Sequence, residues 1–200
     1  MAKRILLAGV LGGIAMFFWS SLAHIVFPLG ETGVGEIPNE SAVLTAMHAS
    51  LGDHPGLYLF PATGAPPNAT RQERNAAMQQ YGQKLAANPS GLLIYHPPGA
   101  NALTPRQLVT EFANELLESI ILGFLLAQMR LTSFGGRVGV AVLAGLMASI
   151  TTNISYWNWY GFPTSYTIAY LGVEWVGFSV AGIVAALVLG KKAKLSTATA

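Results

Sequence analysis

The chain has 200 residues, 52% of them hydrophobic and only 10% charged, a composition that excludes an ordinary soluble domain and points to a polytopic membrane protein. The formal charge of +2 does not mark a nucleic-acid partner, because seven of the eleven basic residues (Lys3, Arg4, Arg130, Arg137, Lys191, Lys192 and Lys194) stand at the ends of hydrophobic runs. There is no cysteine, which removes disulfides, thiolate metal sites and cysteine nucleophiles.

A short basic leader, Met1–Arg4, precedes a first apolar run over 5–29. On a helix, Gly9, Gly13, Met16, Ser20 and His24 share one face, a stripe suited to close contact with another helix. Ser21-Leu22-Ala23 has the form of a signal-peptide cleavage site, but the apolar run continues through Ile25-Val26-Phe27 and no polar region precedes the site, so the expectation is a retained span.

Residues 30–103 are the one substantial polar segment. Pro38–Leu51 reads as a short amphipathic helix capped by Asn39 or Ser41, with Ala42, Leu44, Met47 and Leu51 as its apolar content. Gly56-Leu57-Tyr58-Leu59-Phe60 reads as a strand that Pro61 stops, and Gly91-Leu92-Leu93-Ile94-Tyr95-His96-Pro97 echoes it 35 residues later. Between them Thr70-Arg71-Gln72-Glu73 is a capping box that opens a helix to Ala87. Two paired strands with that helix packed on them form a small α+β cap, with Tyr58, Phe60 and Tyr95 as its core. Asn68-Ala69-Thr70 fits a glycosylation sequon.

Thr104–Arg130 organises the rest of the chain. Thr104 caps, Pro105 suits the first helical position, and Gln107 completes a second capping box. From Pro105 to Met129 the helix is about 37 Å long at roughly 1.5 Å per residue, which is membrane length. Glu111, Glu115 and Glu118 fall on one face of it. After an Arg130–Arg137 loop come a third span over Val138–Trp157 and a fourth over Tyr166–Gly190, the latter interrupted by Glu174. Lys191, Lys192 and Lys194 close it, followed by a Ser/Thr/Ala tail expected to be disordered.

The fold expected is therefore a membrane all-α, four-transmembrane-helix bundle with a small α+β extracytoplasmic cap inserted between helices 1 and 2. Three basic clusters on one side place both termini and the Arg130–Arg137 loop in the cytoplasm and residues 30–103 outside. Trp157, Trp159, Tyr160, Tyr166 and Tyr170 then form an aromatic belt at the outer interface.

Each span contributes a polar group to the outer half: His24, then Glu111, Glu115 and Glu118, then Asn153, then Glu174. Carboxylates inside a span face protein or water rather than lipid. Without a basic partner in the spans, at least one must be protonated, cation-bound or wet. These six residues are the candidates for ligand or proton binding; the competing reading is a buried hydrogen-bond cluster that locks the bundle. The paired Glu-x-x-His motifs of carboxylate-bridged metal bundles are missing, and His48, His54 and His96 show no compact ligand spacing. Metal and cofactor are thus left unassigned. No nucleophile elbow, phosphate-binding loop or zincin motif is present, so no catalytic residue is named.

The segments G-L-Y-L-F-P and G-L-L-I-Y-H-P-P, with A-H-I-V-F-P-L-G closing the first span, resemble a group of bacterial four-span inner-membrane proteins of unassigned activity. The resemblance implies a bacterial inner membrane and carries over no functional residue. The leading expectation is a non-enzymatic accessory or assembly subunit, meeting a membrane-protein partner or a second copy through its cap and small-residue helix faces. The alternative is a bundle that binds a cation, proton or small ligand through its outer-half glutamates. A membrane enzyme acting on a lipid or quinone is the third reading, with no residues specific to it.

Overall fold

The computed structural model describes residues 2–129, 131 and 133–190. Arg130, Lys191, Lys192 and Lys194, which contribute to the orientation argument, and the Ser/Thr/Ala tail lie outside them. The chain is mostly helical and divides into two compact units: residues up to Val34 together with those from Leu103 on, and Gly35–Ala102.

The first unit contains α1 (Ala2–Ile25), α4 (Pro105–Gln128), α5 (Phe134–Tyr160) and α6 (Thr164–Leu189). Three of these, α1, α5 and α6, are long and apolar enough to cross a membrane. The 24-residue α4 matches them in length but carries Glu111, Glu115 and Glu118 within it. Its N-terminus forms as the sequence dictates. The Thr104 hydroxyl accepts from the Gln107 amide at 3.3 Å, and the Gln107 side-chain oxygen accepts from the Thr104 amide at 2.7 Å.

In space the order is α4, α1, α6, α5, each packed on the next, while α4 and α5 barely touch. The small-residue stripe of α1 is what admits α4. A Cβ on Gly13 would stand 2.8 Å from the Leu116 Cα, and one on Gly9 would stand 2.6 Å from the Ile120 Cα. Any side chain there pushes α4 away. In the half of the bundle holding the N-terminus of α1, Ala8, Leu122, Leu126, Ala141, Ala181 and Ala185 form a continuous buried core. Two indoles tie neighbouring helices: Trp19 Nε1 donates to the Val173 carbonyl at 2.9 Å, and Trp175 Nε1 to the Val142 carbonyl at 3.1 Å.

Arg137 departs from the expected loop position. Ser133 caps α5 by accepting from the Gly136 amide, so the helix starts at Phe134 and takes Arg137 into it. There Arg137 is buried, and its guanidinium donates to the carbonyl of Gly190, where α6 ends. A cation at a helix C-terminus meets the negative end of the helix dipole. The α5–α6 turn follows the sequence: Gly161 adopts a left-handed φ of 71° as C-cap, and Pro163 precedes the first turn of α6.

The second unit holds α2 (Glu40–Leu51), β1 (Gly56–Phe60), α3 (Arg71–Ala87) and β2 (Gly91–Tyr95). The two strands pair antiparallel, with Tyr58 opposite Leu93. Thr70 and Glu73 make the full capping box at the start of α3. Asn39 stands at the N-cap of α2 in a left-handed conformation, φ 57°, which asparagine tolerates, and its side chain makes no cap bond.

Two expectations fail here. The helix α3 buries none of its residues, so no helix-on-sheet layer forms; it reaches the end of β1 through Lys84 Nζ, which donates to the Ala62 carbonyl at 3.2 Å. Phe60 is 41% exposed and does not join a core, whereas Tyr95 is buried and donates its hydroxyl to the Gly52 carbonyl. The reason is the length of the sheet. Two five-residue strands offer too little surface to cover a 17-residue helix whose composition is mostly polar.

Candidate functional site

The end of the first unit where α1 finishes and α4 begins is built differently from the alanine-rich half. Because α4 and α5 stand apart there, the four helices line a half-open cavity of about 670 Å³. His24 from α1, Glu111, Glu115 and Glu118 from α4, and Glu174 from α6 all line it. Asn153 of α5 does not line it but is buried behind it. Its amide donates to the Ser149 carbonyl at 2.9 Å and to Glu174 Oε2 at 3.0 Å, using both amide hydrogens. All six residues singled out from the sequence therefore belong to one neighbourhood.

The three deeper glutamates are held in different ways. Glu118 accepts from the Asn114 amide one turn earlier at 3.0 Å. Glu174 accepts from Asn153 across the α5–α6 contact. Glu115 is 4% exposed, with Ser20 beside its carboxyl, and its Oε2 has no hydrogen-bond partner among the described residues. Glu111 is exposed at the rim.

His24 is oriented by its own helix. Nδ1 stands 2.8 Å from the Ser20 carbonyl, which can only accept, so Nδ1 carries the proton and Nε2 is left available. The ring meets Tyr170 edge-on at 6.1 Å, and Tyr170 stacks on Tyr166 at 4.3 Å. Phe162 and Tyr156 continue that aromatic ladder to the end of α5.

Sequence reasoning missed several wall residues. Trp19 and Phe17 of α1, Asn114 of α4 and Phe178 of α6 line the cavity, and Tyr170 does so as well as belonging to the belt of aromatics. Asn114 had a usable signal in its four-residue spacing to Glu118; Trp19 had none, since an indole in an apolar run looks like any other wall.

The chemistry of this lining is one-sided. It holds three carboxylates beneath the rim, a fourth at it, an imidazole and several aromatic faces, and no lysine or arginine among the described residues. Among those residues no three histidine, aspartate or glutamate side chains converge closely enough to hold a metal ion together. The carboxylates are spread along a wall rather than gathered around a point. Comparison with protein families, with characterised proteins and with solved structures gives no match to this chain.

Proposed function

We propose that this protein is a four-span bundle of the bacterial inner membrane, with α4 as its fourth span, that binds a cationic small ligand in a cavity reached from the outer side. In this reading both termini are cytoplasmic and residues 30–103 are extracytoplasmic, as the distribution of lysine and arginine favours. The observation that carries the binding reading is Glu115, a buried carboxyl with an oxygen that has no partner among the described residues, beside a cavity lined by three further glutamates and, among those residues, by no basic side chain. A buried carboxylate of this kind is costly unless a cation or a proton meets it. The apolar core in the other half of the bundle offers no continuation of the carboxylate series, which favours binding over conduction.

Glu118→Gln is the variant that tests this. If the cavity binds cations, the substitution abolishes saturable cation binding to the purified chain while thermal unfolding in detergent is little changed. If the glutamates are a neutral structural lock, no cation binds saturably to either form, and the amide is equally well tolerated.

The accessory-subunit reading keeps one specific observation in its favour. Leu57, Leu59, Leu92 and Ile94 share one face of the two-stranded sheet, and Leu57 and Ile94 are 66% and 70% exposed. An apolar sheet face left bare is the form taken by a surface that meets another protein. Co-purification from membranes in mild detergent tests it: a stoichiometric partner lost on Leu57→Ser/Ile94→Ser supports it, and a chain that always purifies alone overturns it.

A further inference from the structure

The shape and walls of the cavity narrow the class of cation. This step rests on the reading of the cavity as a cation site and asks which cation fits it.

A volume of about 670 Å³ lies within the range of pockets that hold drug-sized organic molecules. It is far larger than a single ion with one shell of water requires, a water molecule occupying about 30 Å³. The carboxylates lie on α4 and α6, while Phe17, Trp19, Tyr170 and Phe178 supply aromatic wall. Trp19 is fixed in place by its bond to the Val173 carbonyl, and Tyr170 by its stack on Tyr166. An aromatic face attracts an organic cation and also covers its hydrocarbon part.

The hydrogen bonding is more selective still. Asn114 already donates to Glu118, and Asn153 to Glu174. Each of these two carboxyls keeps a second oxygen with no hydrogen-bond partner among the described residues, and an acceptor is satisfied only by a donor. A quaternary ammonium has no N–H and leaves those oxygens unmet. A primary ammonium has three.

We infer that the cavity takes a primary organic ammonium with an apolar or aromatic body, its N–H donating to the unpaired carboxyl oxygens of Glu118 and Glu174, and its body against Trp19 and Tyr170. No bond is made or broken; the ligand enters and leaves as the ammonium ion. The chemistry is shared by an arylalkyl amine and by the amino head of an amphiphile, and both place nitrogen and hydrocarbon in the same order along the cavity.

Three probes of one shape test this on the full chain in detergent micelles or nanodiscs: 2-phenylethylammonium, its N,N,N-trimethyl analogue, and neutral 2-phenylethanol. The expected result is saturable binding of the primary ammonium, about tenfold or more tighter than either of the others. Binding should change the tryptophan fluorescence of the native chain, and Trp19→Phe should remove that signal. Glu174→Gln, whose amide can still accept from Asn153 but then turns its NH2 to the cavity, should weaken the primary ammonium by about tenfold and the quaternary analogue less. If that variant does not fold, the ranking of the three probes on the native chain decides the matter alone. Equal affinity for amine and alcohol, with sodium or calcium binding that depends on Glu118, would overturn the ligand class and leave the cation site standing. Absence of binding by every organic and inorganic cation would overturn both.

Discussion

Two buried polar side chains in the bundle carry opposite predictions. Ser119 is 1% exposed and its hydroxyl has no partner among the described residues, pressed as it is against Gly12 of α1. An unmet buried hydroxyl costs about 1–3 kcal/mol, so Ser119→Ala should raise the unfolding temperature in detergent. Arg137, 5% exposed, has a buried Nε with no partner among the described residues, but its Nη1 donates to the Gly190 carbonyl at the end of α6, and Arg137→Met, which loses that charged bond, should lower stability by about 1.5–3 kcal/mol. Denaturation of the two variants side by side reads both signs. Glu73, in the other unit, titrates below the usual carboxyl value because the Thr70 backbone amide, and then its hydroxyl, donate to it. Its folded pKa is depressed, so the contribution to the start of α3 is present above the unfolded value near 4.5 and lost as pH falls through the lower folded one. A carboxyl-carbon NMR titration should show Glu73 shifted down in the native chain and shifted less far in Thr70→Ala, which loses the hydroxyl but keeps the backbone amide. That bond was legible in the sequence, as was the Thr104–Gln107 pair, because a capping box is written within four residues. The Asn153–Glu174 bond was not, since it depends on which faces of α5 and α6 meet.

Among the elements, the contact of α1 with α4 fixes where the glutamates point. The stripe Gly9, Gly13 and Met16 was readable from helical spacing, and the structure sets its two glycines against Ile120 and Leu116. Gly12, one position off the stripe, escaped notice although it is as closely covered. Gly13→Ala should cost about 1–3 kcal/mol through overpacking, because the nearest atom is backbone and cannot swing aside. Gly139→Ala serves as the control: its Cβ meets nothing within 4 Å, and the change should leave unfolding within about 0.5 kcal/mol of the native chain. The strands of the second unit matched their expected bounds, since Gly and Pro punctuate both runs. What the residues could not reveal was that α3 would bury nothing. Its capping box specifies a helix start, while packing depends on an apolar face that Met78 and Leu85, both exposed, do not provide.

At the scale of the whole molecule, the charge pattern and the cavity make separate claims. The proposed orientation puts the α4–α5 connection in the cytoplasm, so a cysteine at Ser133 should react with an impermeant thiol reagent only when that side is open. Labelling from outside would reverse the topology and with it the side from which the cavity is reached. That each long helix carries a polar group towards the same end was visible in the sequence; that all of these but Asn153 line a space, rather than filling it with one another, was not. The space exists because α4 and α5 are held apart by the two helices between them, an arrangement that no single segment encodes. The chain has no cysteine of its own, so one introduced at Thr152, on the cavity wall, reports on that space alone. The decisive measurement is its rate of modification by a small water-soluble thiol reagent, with and without 2-phenylethylammonium or an inorganic cation. A cysteine at Ser133, exposed at the start of the same helix and outside the cavity lining, provides the reference. Cation binding in the cavity predicts that a cation slows modification of the Thr152→Cys protein, that Glu118→Gln removes the protection, and that the Ser133→Cys protein is indifferent. Modification of Thr152→Cys at the same rate with every cation present or absent would contradict it.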